Sequence, residues 1–165
     1  MSATSLNPEL VTALKRLRLG GLLPTLAERL SLCEKQSLPY QDVLPMLLCD
    51  EISRRDSGAT ERRAQQAGLS PDMVLSRWDA SAQVTYDRRL LQEVCSLRFV
   101  ADHRNLTILG PVGVGKTFWS QAVAHLCCEA GYHVRFSRAD SLLRSLRQSR
   151  MDNSREVLMM ALSTV

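Results

Sequence analysis

From Pro8 onward, apolar side chains recur every three or four positions at Leu10, Val11, Leu14 and Leu17. That is the period of a helix with one face turned inward. Pro8 suits a first turn, where its missing N–H has no intrahelical partner to lose, and Gly20-Gly21 predicts the stop. A second helix is expected from about Leu22, with Pro24 in its first turn. Its stripe is Leu26, Leu30 and Cys33, with Glu28, Arg29 and Glu34 off it. Residues 37–68 predict a third, long helical segment with Tyr40, Val43, Leu44, Leu47, Leu48 and Ile52 as its apolar face. Pro45 lies near its start, where loss of an N–H costs least. The pattern then turns polar nearly all round, through Arg54, Arg55, Glu61, Arg62 and Arg63. Two readings stand for this tail: a solvated, fraying helix end, or a surface that meets an anionic partner.

The period breaks at "AGLSPDMVLSRWDASAQ". Gly68, Ser70-Pro71 and small polar residues mark a connector, while Leu69, Val74, Leu75 and Trp78 predict that it packs down. "TYDRRLLQEVCSLRFVADHRN" reads as a helix and turn. "NLTILG" is a short apolar run of the kind a parallel strand buried on both faces shows. "GKTFWSQAVAHLCCEAG" predicts a helix with Phe118, Ala122, Val123, Leu126 and Cys127 inward and Gly131 at its end; "YHVRFS" predicts a second strand. "RADSLLRSLRQSR" predicts a further helix with Asp140 in its first turn. Strand, glycine loop, helix, strand, helix is the start of a doubly wound α/β sheet. The expected organisation is a helical domain over 1–67, a connector over 68–82 and an α/β domain over 83–165. No repeat or low-complexity segment interrupts it.

Composition changes this picture little. With 165 residues, 45% hydrophobic and 23% charged, the chain can bury a core. No apolar run approaches the roughly 18 residues of a membrane span, and "MSATSLNPEL" lacks the form of a signal peptide. The expectation is a cytoplasmic protein with no membrane partner. Cys33, Cys49, Cys95, Cys127 and Cys128 have no metal-ligand spacing and read as buried free thiols. Charge adds more. Residues 1–80 carry ten basic and ten acidic groups, and 81–165 carry eleven and seven, so the net charge of +4 lies with the second half. Eighteen of the 21 basic residues are Arg, whose forks suit phosphate.

The candidate chemistry is in "GPVGVGKT", residues 110–117. It satisfies G-x-x-x-x-G-K-[ST], the P-loop or Walker A pattern, with a predicted strand before it and a helix after it. Gly110, Gly113 and Gly115 let the backbone curl so that successive N–H groups face phosphate oxygens, and Pro111, Val112 and Val114 complete the loop. The following helix presents its N-terminus to the same anion. Lys116 reaches the β- and γ-phosphates of ATP, and the Thr117 hydroxyl can ligate Mg²⁺. Downstream of Thr117 the acids are Glu129, Asp140, Asp152 and Glu156, and none ends an apolar strand. No Walker B acid is therefore assigned, and catalytic residues stay unknown. His103, His125 and His133 have no catalytic spacing.

The GPxGxGKT form is that of AAA+ ATPases. "LRLGGLLPTLAERL", "LLCDEISRR" and "DRRLLQEVCSLRFVADHRNLTILGPVGVGKTFWSQAVAHLCCEAGYHVRFSRADSLLRSLRQSRMDNS" resemble the IstB-like ATP-binding proteins, helpers of insertion-sequence transposition related to the DnaC helicase loaders. The resemblance implies a helical N-terminal domain joined to the first part of an AAA+ parallel sheet with flanking helices. It implies binding of ATP with Mg, homo-oligomers on double-stranded DNA in intact members, and a transposase partner. It also implies that the chain is C-terminally truncated. Walker B, the sensors and the arginine finger would lie outside it, and strand 106–110 would lose a neighbour and expose apolar surface.

The leading reading is an ATP-binding, DNA-associated helper of transposition that does not turn over ATP alone. A helicase loader shares the same core, and a small P-loop phosphotransferase would need an acceptor pocket that residues 118–165 do not show. A third class is a silent binding module that ATP only stabilises. For DNA, the candidate contacts are Arg138, Arg144, Arg147, Arg150 and Arg155, of which Arg144 and Arg147 can share a helix face; a solvated helix surface accounts for each of them equally.

Overall fold

The computed structural model describes residues 6–79, 85 and 87–164. Within these the helices are α1 (Pro8–Arg16), α2 (Leu23–Gln36), α3 (Tyr40–Ala67), α4 (Arg88–Cys95), α5 (Arg98–Ala101), α6 (Lys116–Glu129), α7 (Ala139–Met151) and α8 (Arg155–Ser163). Two 3-10 turns, Gly20–Leu22 and Leu75–Arg77, accompany them. The chain divides into two compact units between Gly58 and Ala59, inside α3. The last residues of the predicted connector, 80–82, lie outside the described residues, as does the side chain of Tyr40.

In the first unit, α1 opens as its sequence predicts: Pro8 follows Asn7, whose Oδ1 accepts the Glu9 N–H at 2.8 Å. The predicted stop at Gly20-Gly21 is displaced. α1 ends at Arg16, and Arg18 takes the left-handed turn at φ 58°. Gly21 serves close approach instead: a Cβ there would lie 2.1 Å from Arg54 Nε. Of the predicted α2 stripe, Leu26 and Cys33 are buried and Leu30 is half-buried; Leu22, in the 3-10 turn before the helix, is buried with them. The predicted apolar face of α3 does not, since Leu44 and Ile52 are 60% and 57% exposed. What α3 buries here is a charge. The Glu51 side chain is 3% exposed and takes a two-pronged bond from Arg54 (2.8 Å each) and a further one from Arg55 Nε at 2.7 Å. Arg29 of α2 makes a similar fork to Asp50, at 2.8 and 3.3 Å.

Arg54's hydrogen bonds hold the Glu51 carboxyl down at about 2, from an ordinary 4.5; burial opposes them and Arg55 reinforces them. A carboxylate with a lowered folded-state pKa stabilises the fold fully above its unfolded pKa and progressively less below it. Wild type should therefore be more stable than Glu51→Gln at neutral pH. That gap should close as pH falls from about 4.5 to about 2. Thermal melts of both proteins across this range check the prediction; a gap that stays constant would contradict it.

In the second unit the charged end of α3 keeps Glu61 and Arg62 exposed to solvent, while its opposite side is packed. Ala64 and Ala67 are buried with Leu69 and Cys128, and Ala124, Val134 and Phe136 pack against them. The polar pattern conceals this face because its buried members are alanines. Arg63 Nε donates to the Cys128 carbonyl at 2.8 Å, a cation at the C-terminus of α6. Gly131, at φ +93°, ends α6 as predicted: its N–H bonds the Cys128 carbonyl at 3.2 Å and the Tyr132 N–H bonds the Cys127 carbonyl at 2.9 Å.

The α/β expectation is overturned. No strand is present among the described residues, and the chain there is helical with irregular connections. Neither apolar run, 105–110 or 132–137, becomes part of a sheet. A strand exists only through a ladder partner, and neither segment meets one among the described residues. The second run instead donates the Phe136 N–H to the Ala67 carbonyl at the end of α3, at 3.1 Å. The first leaves Leu106, Ile108 and Leu109 at 38%, 36% and 86% exposure. Cys33, Cys127 and Cys128 are buried thiols, whereas Cys49 is exposed; all five cysteines are free. No described helix is long and apolar enough to cross a membrane.

Candidate functional site

The phosphate-loop sequence forms a turn that runs directly into α6. Gly113 and Gly115 both have φ +88°, a left-handed conformation that side chains resist, and Gly115 is the residue that opens the helix. Having no side chain, Gly115 cannot cap α6, so the first N–H groups of this 14-residue helix are left to an outside acceptor. Lys116 begins the helix, and its Nζ reaches back across the loop to donate to the Pro111 carbonyl. Thr117 follows with an exposed side chain, its carbonyl accepting Ser120 Oγ at 3.0 Å. Val112 is 99% exposed at the loop tip. Residues 110–117 are thus brought together as one loop whose donors fit a phosphate chain: left-handed glycines, an open helix N-terminus and one ammonium. The exposed Thr117 hydroxyl suits the coordination of a magnesium ion carried by the nucleotide.

The connector supports this loop from one side. Leu69 is buried in the core. Both backbone polar groups of the next residue are gripped by α6: Gln121 Oε1 accepts the Ser70 N–H at 2.8 Å, and His125 Nε2 meets the Ser70 carbonyl at 2.9 Å. Gln121 and His125 are 6% and 8% exposed and stand one turn apart. The connector then runs through the 3-10 turn to Trp78, whose ring lies 5.2 Å from Phe118 and 4.9 Å from Trp119, centroid to centroid. His125, which has no catalytic spacing in the sequence, thus anchors the connector together with Gln121, a residue the sequence analysis does not single out. The available signal was two polar residues, four apart, on the apolar face of α6.

The candidate DNA-contacting residues are spread along a different part of the unit. Arg138 precedes α7, Arg144, Arg147 and Arg150 lie along it, and Arg155 opens α8. All five are exposed. Asp140 meets Arg138 at 3.3 Å and Arg144 at 3.4 Å, surface pairs that contribute little and leave both guanidiniums accessible. Arg144 also lines a groove of about 510 Å³ between α7 and α8, with Ser141, Ser145, Gln148 and Asp152 among its walls. The other four arginines do not line it.

Comparison with known sequences decides what this loop belongs to. The profile of the IstB-like ATP binding protein family matches residues 12–164. The chain belongs to this family. Its relatives include a Mycobacterium tuberculosis protein named as an ATP-binding protein in an insertion sequence, 33% identical over 90% of this chain and 59% of its own length. Insertion-sequence ATP-binding proteins named in Pseudomonas fluorescens and Pseudomonas aeruginosa are 34% and 32% identical, over 87% and 94% of this chain and 63% and 58% of theirs. The IstB-like chain therefore spans less than two thirds of the length of these relatives. The "GPVGVGKT" loop lies inside the matched region.

Proposed function

We propose that this chain is an ATP-binding helper of DNA transposition that holds MgATP with residues 110–117. The observation that carries the reading is the loop itself. Two left-handed glycines deliver the backbone into an α6 terminus that opens with Lys116 and Thr117, within a family named for ATP binding. The loop amides and Lys116 take the β- and γ-phosphates, and Thr117 takes the magnesium ion. The relatives' names place them in insertion sequences, so the partners proposed are a transposase, double-stranded DNA and further copies of the chain, in the cytoplasm. Arg138, Arg144, Arg147, Arg150 and Arg155 supply phosphate contacts.

ATP is held here without appreciable turnover. Hydrolysis needs a carboxylate beside the metal and the attacking water, and none of the acids downstream of the loop, Glu129, Asp140, Asp152 and Glu156, ends a strand among the described residues. Glu129 ends α6, about 20 Å along the helix from Lys116 at 1.5 Å per residue. Asp140 is held by Arg138 and Arg144, and Asp152 accepts the Ser154 hydroxyl at 2.6 Å.

Equilibrium dialysis with labelled ATP and Mg²⁺, phosphate release, and duplex binding at two salt concentrations test the reading. Saturable ATP binding is expected, with phosphate release no faster than from a loop-disabled variant. DNA affinity should fall steeply between about 50 and 200 mM salt, because the contacts are to phosphate. Absence of ATP binding overturns the nucleotide assignment, turnover well above the control overturns the holding role, and salt-insensitive binding overturns the DNA contacts.

A further inference from the structure

We propose that Trp78 is a positioning residue for the nucleotide loop. The inference rests on the reading of residues 110–117 as a phosphate site and adds to it a residue outside that motif. Gly113 and Gly115 share the same φ of +88°, yet their surroundings differ. A Cβ built on Gly113 meets nothing within 4 Å. One built on Gly115 would lie 3.0 Å and 3.2 Å from Cζ3 and Cη2 of Trp78. The indole thus covers the residue where loop becomes helix.

Its position is itself secured at two places. The bonds of Gln121 and His125 to Ser70 tie the connector to the second and third turns of α6. Phe118 and Trp119 bracket the indole at the first turn. Leu75–Arg77 bridges the two anchors as a 3-10 turn, with the Trp78 N–H bonded to the Leu75 carbonyl at 3.0 Å. A loop of glycines has many conformations open to it, and a ligand must select the one that aims its amides inward. A rigid aromatic wall against Gly115 removes alternatives before the nucleotide arrives, so less of the binding free energy goes into ordering the loop.

The test uses Trp78→Leu and Trp78→Phe, with amide hydrogen exchange measured without nucleotide and MgATP affinity measured by dialysis. Trp78→Leu is expected to speed exchange across residues 113–118, with residues 60–67 unchanged. It should weaken MgATP about tenfold, as when the competent conformation falls to about a tenth of the molecules. Trp78→Phe, which keeps a ring over Gly115, should stay within about threefold of wild type in both. Unchanged loop exchange in Trp78→Leu overturns the proposal, and so does exchange that rises evenly through residues 59–164, which marks a purely structural role. If Trp78→Leu does not fold, Trp78→Met is read in the same way. If wild type itself binds no ATP, the phosphate-site reading fails, while the exchange of residues 113–118 still decides whether Trp78 orders the loop.

Discussion

Lys116→Ala should lower MgATP affinity by about a hundredfold and leave the fold intact. Hydrogen bonds to charged groups contribute about 1.5–3 kcal/mol each, and two of them, to the β- and γ-phosphates, account for at least that factor at about 1.4 kcal/mol per decade. Among the described residues the ammonium bonds a loop carbonyl, that of Pro111. Its removal should therefore shift folding stability by no more than about 0.5 kcal/mol, as for other surface changes. Dialysis with labelled ATP and a denaturant titration of the same variant check the two halves. Equal ATP affinity in variant and wild type would show that the phosphates bind elsewhere.

Gly115→Ala should damage both binding and stability, and more severely than Gly113→Ala. The left-handed conformation costs any L-residue about 1 kcal/mol at either position. Only at Gly115 does the new methyl also meet the Trp78 ring at 3.0 Å, tighter than an ordinary carbon contact, so the ring must give by a few tenths of an ångström. Overpacking of this kind adds about 1–3 kcal/mol. Gly113→Ala should accordingly lose about 1 kcal/mol of stability and Gly115→Ala about 2–4 kcal/mol. ATP affinity should fall by about a hundredfold or more in Gly115→Ala, because the opening amides of α6 are displaced. A double-mutant cycle separates the two costs. In a Trp78→Ala background the steric part of the Gly115→Ala penalty should vanish and the conformational part remain. A penalty of the same size in both backgrounds would mean that the indole does not confine Gly115.

The glycines of the loop were legible in the sequence because each answers a demand made within eight residues. A turn of this tightness needs positive φ, and Gly113 and Gly115 supply it. The C-terminus of α6 was legible for the same reason, with Gly131 closing it through bonds to Cys127 and Cys128. The strands were misread because an apolar run states only that it wants burial. "NLTILG" and "YHVRFS" carry strand-like composition, but a strand requires a partner, and composition cannot name one. The long α3 was misread in the opposite sense. Its large apolar side chains Leu44 and Ile52 are exposed, while Ala64 and Ala67 inside the charged stretch reach the core.

The sequence by itself determined the helical segments, the glycine turn that opens α6 and the family, since periodicity, backbone sterics and a contiguous motif act over a few neighbouring residues. Only the tertiary structure decided which faces are buried, where the two apolar runs go and what stands over the loop. Those outcomes depend on pairs far apart in the chain: Ala67 with Phe136, Ser70 with Gln121 and His125, and Trp78 with Gly115. Many distant groups could satisfy each such residue equally well, and packing selects among them only when the whole unit is assembled.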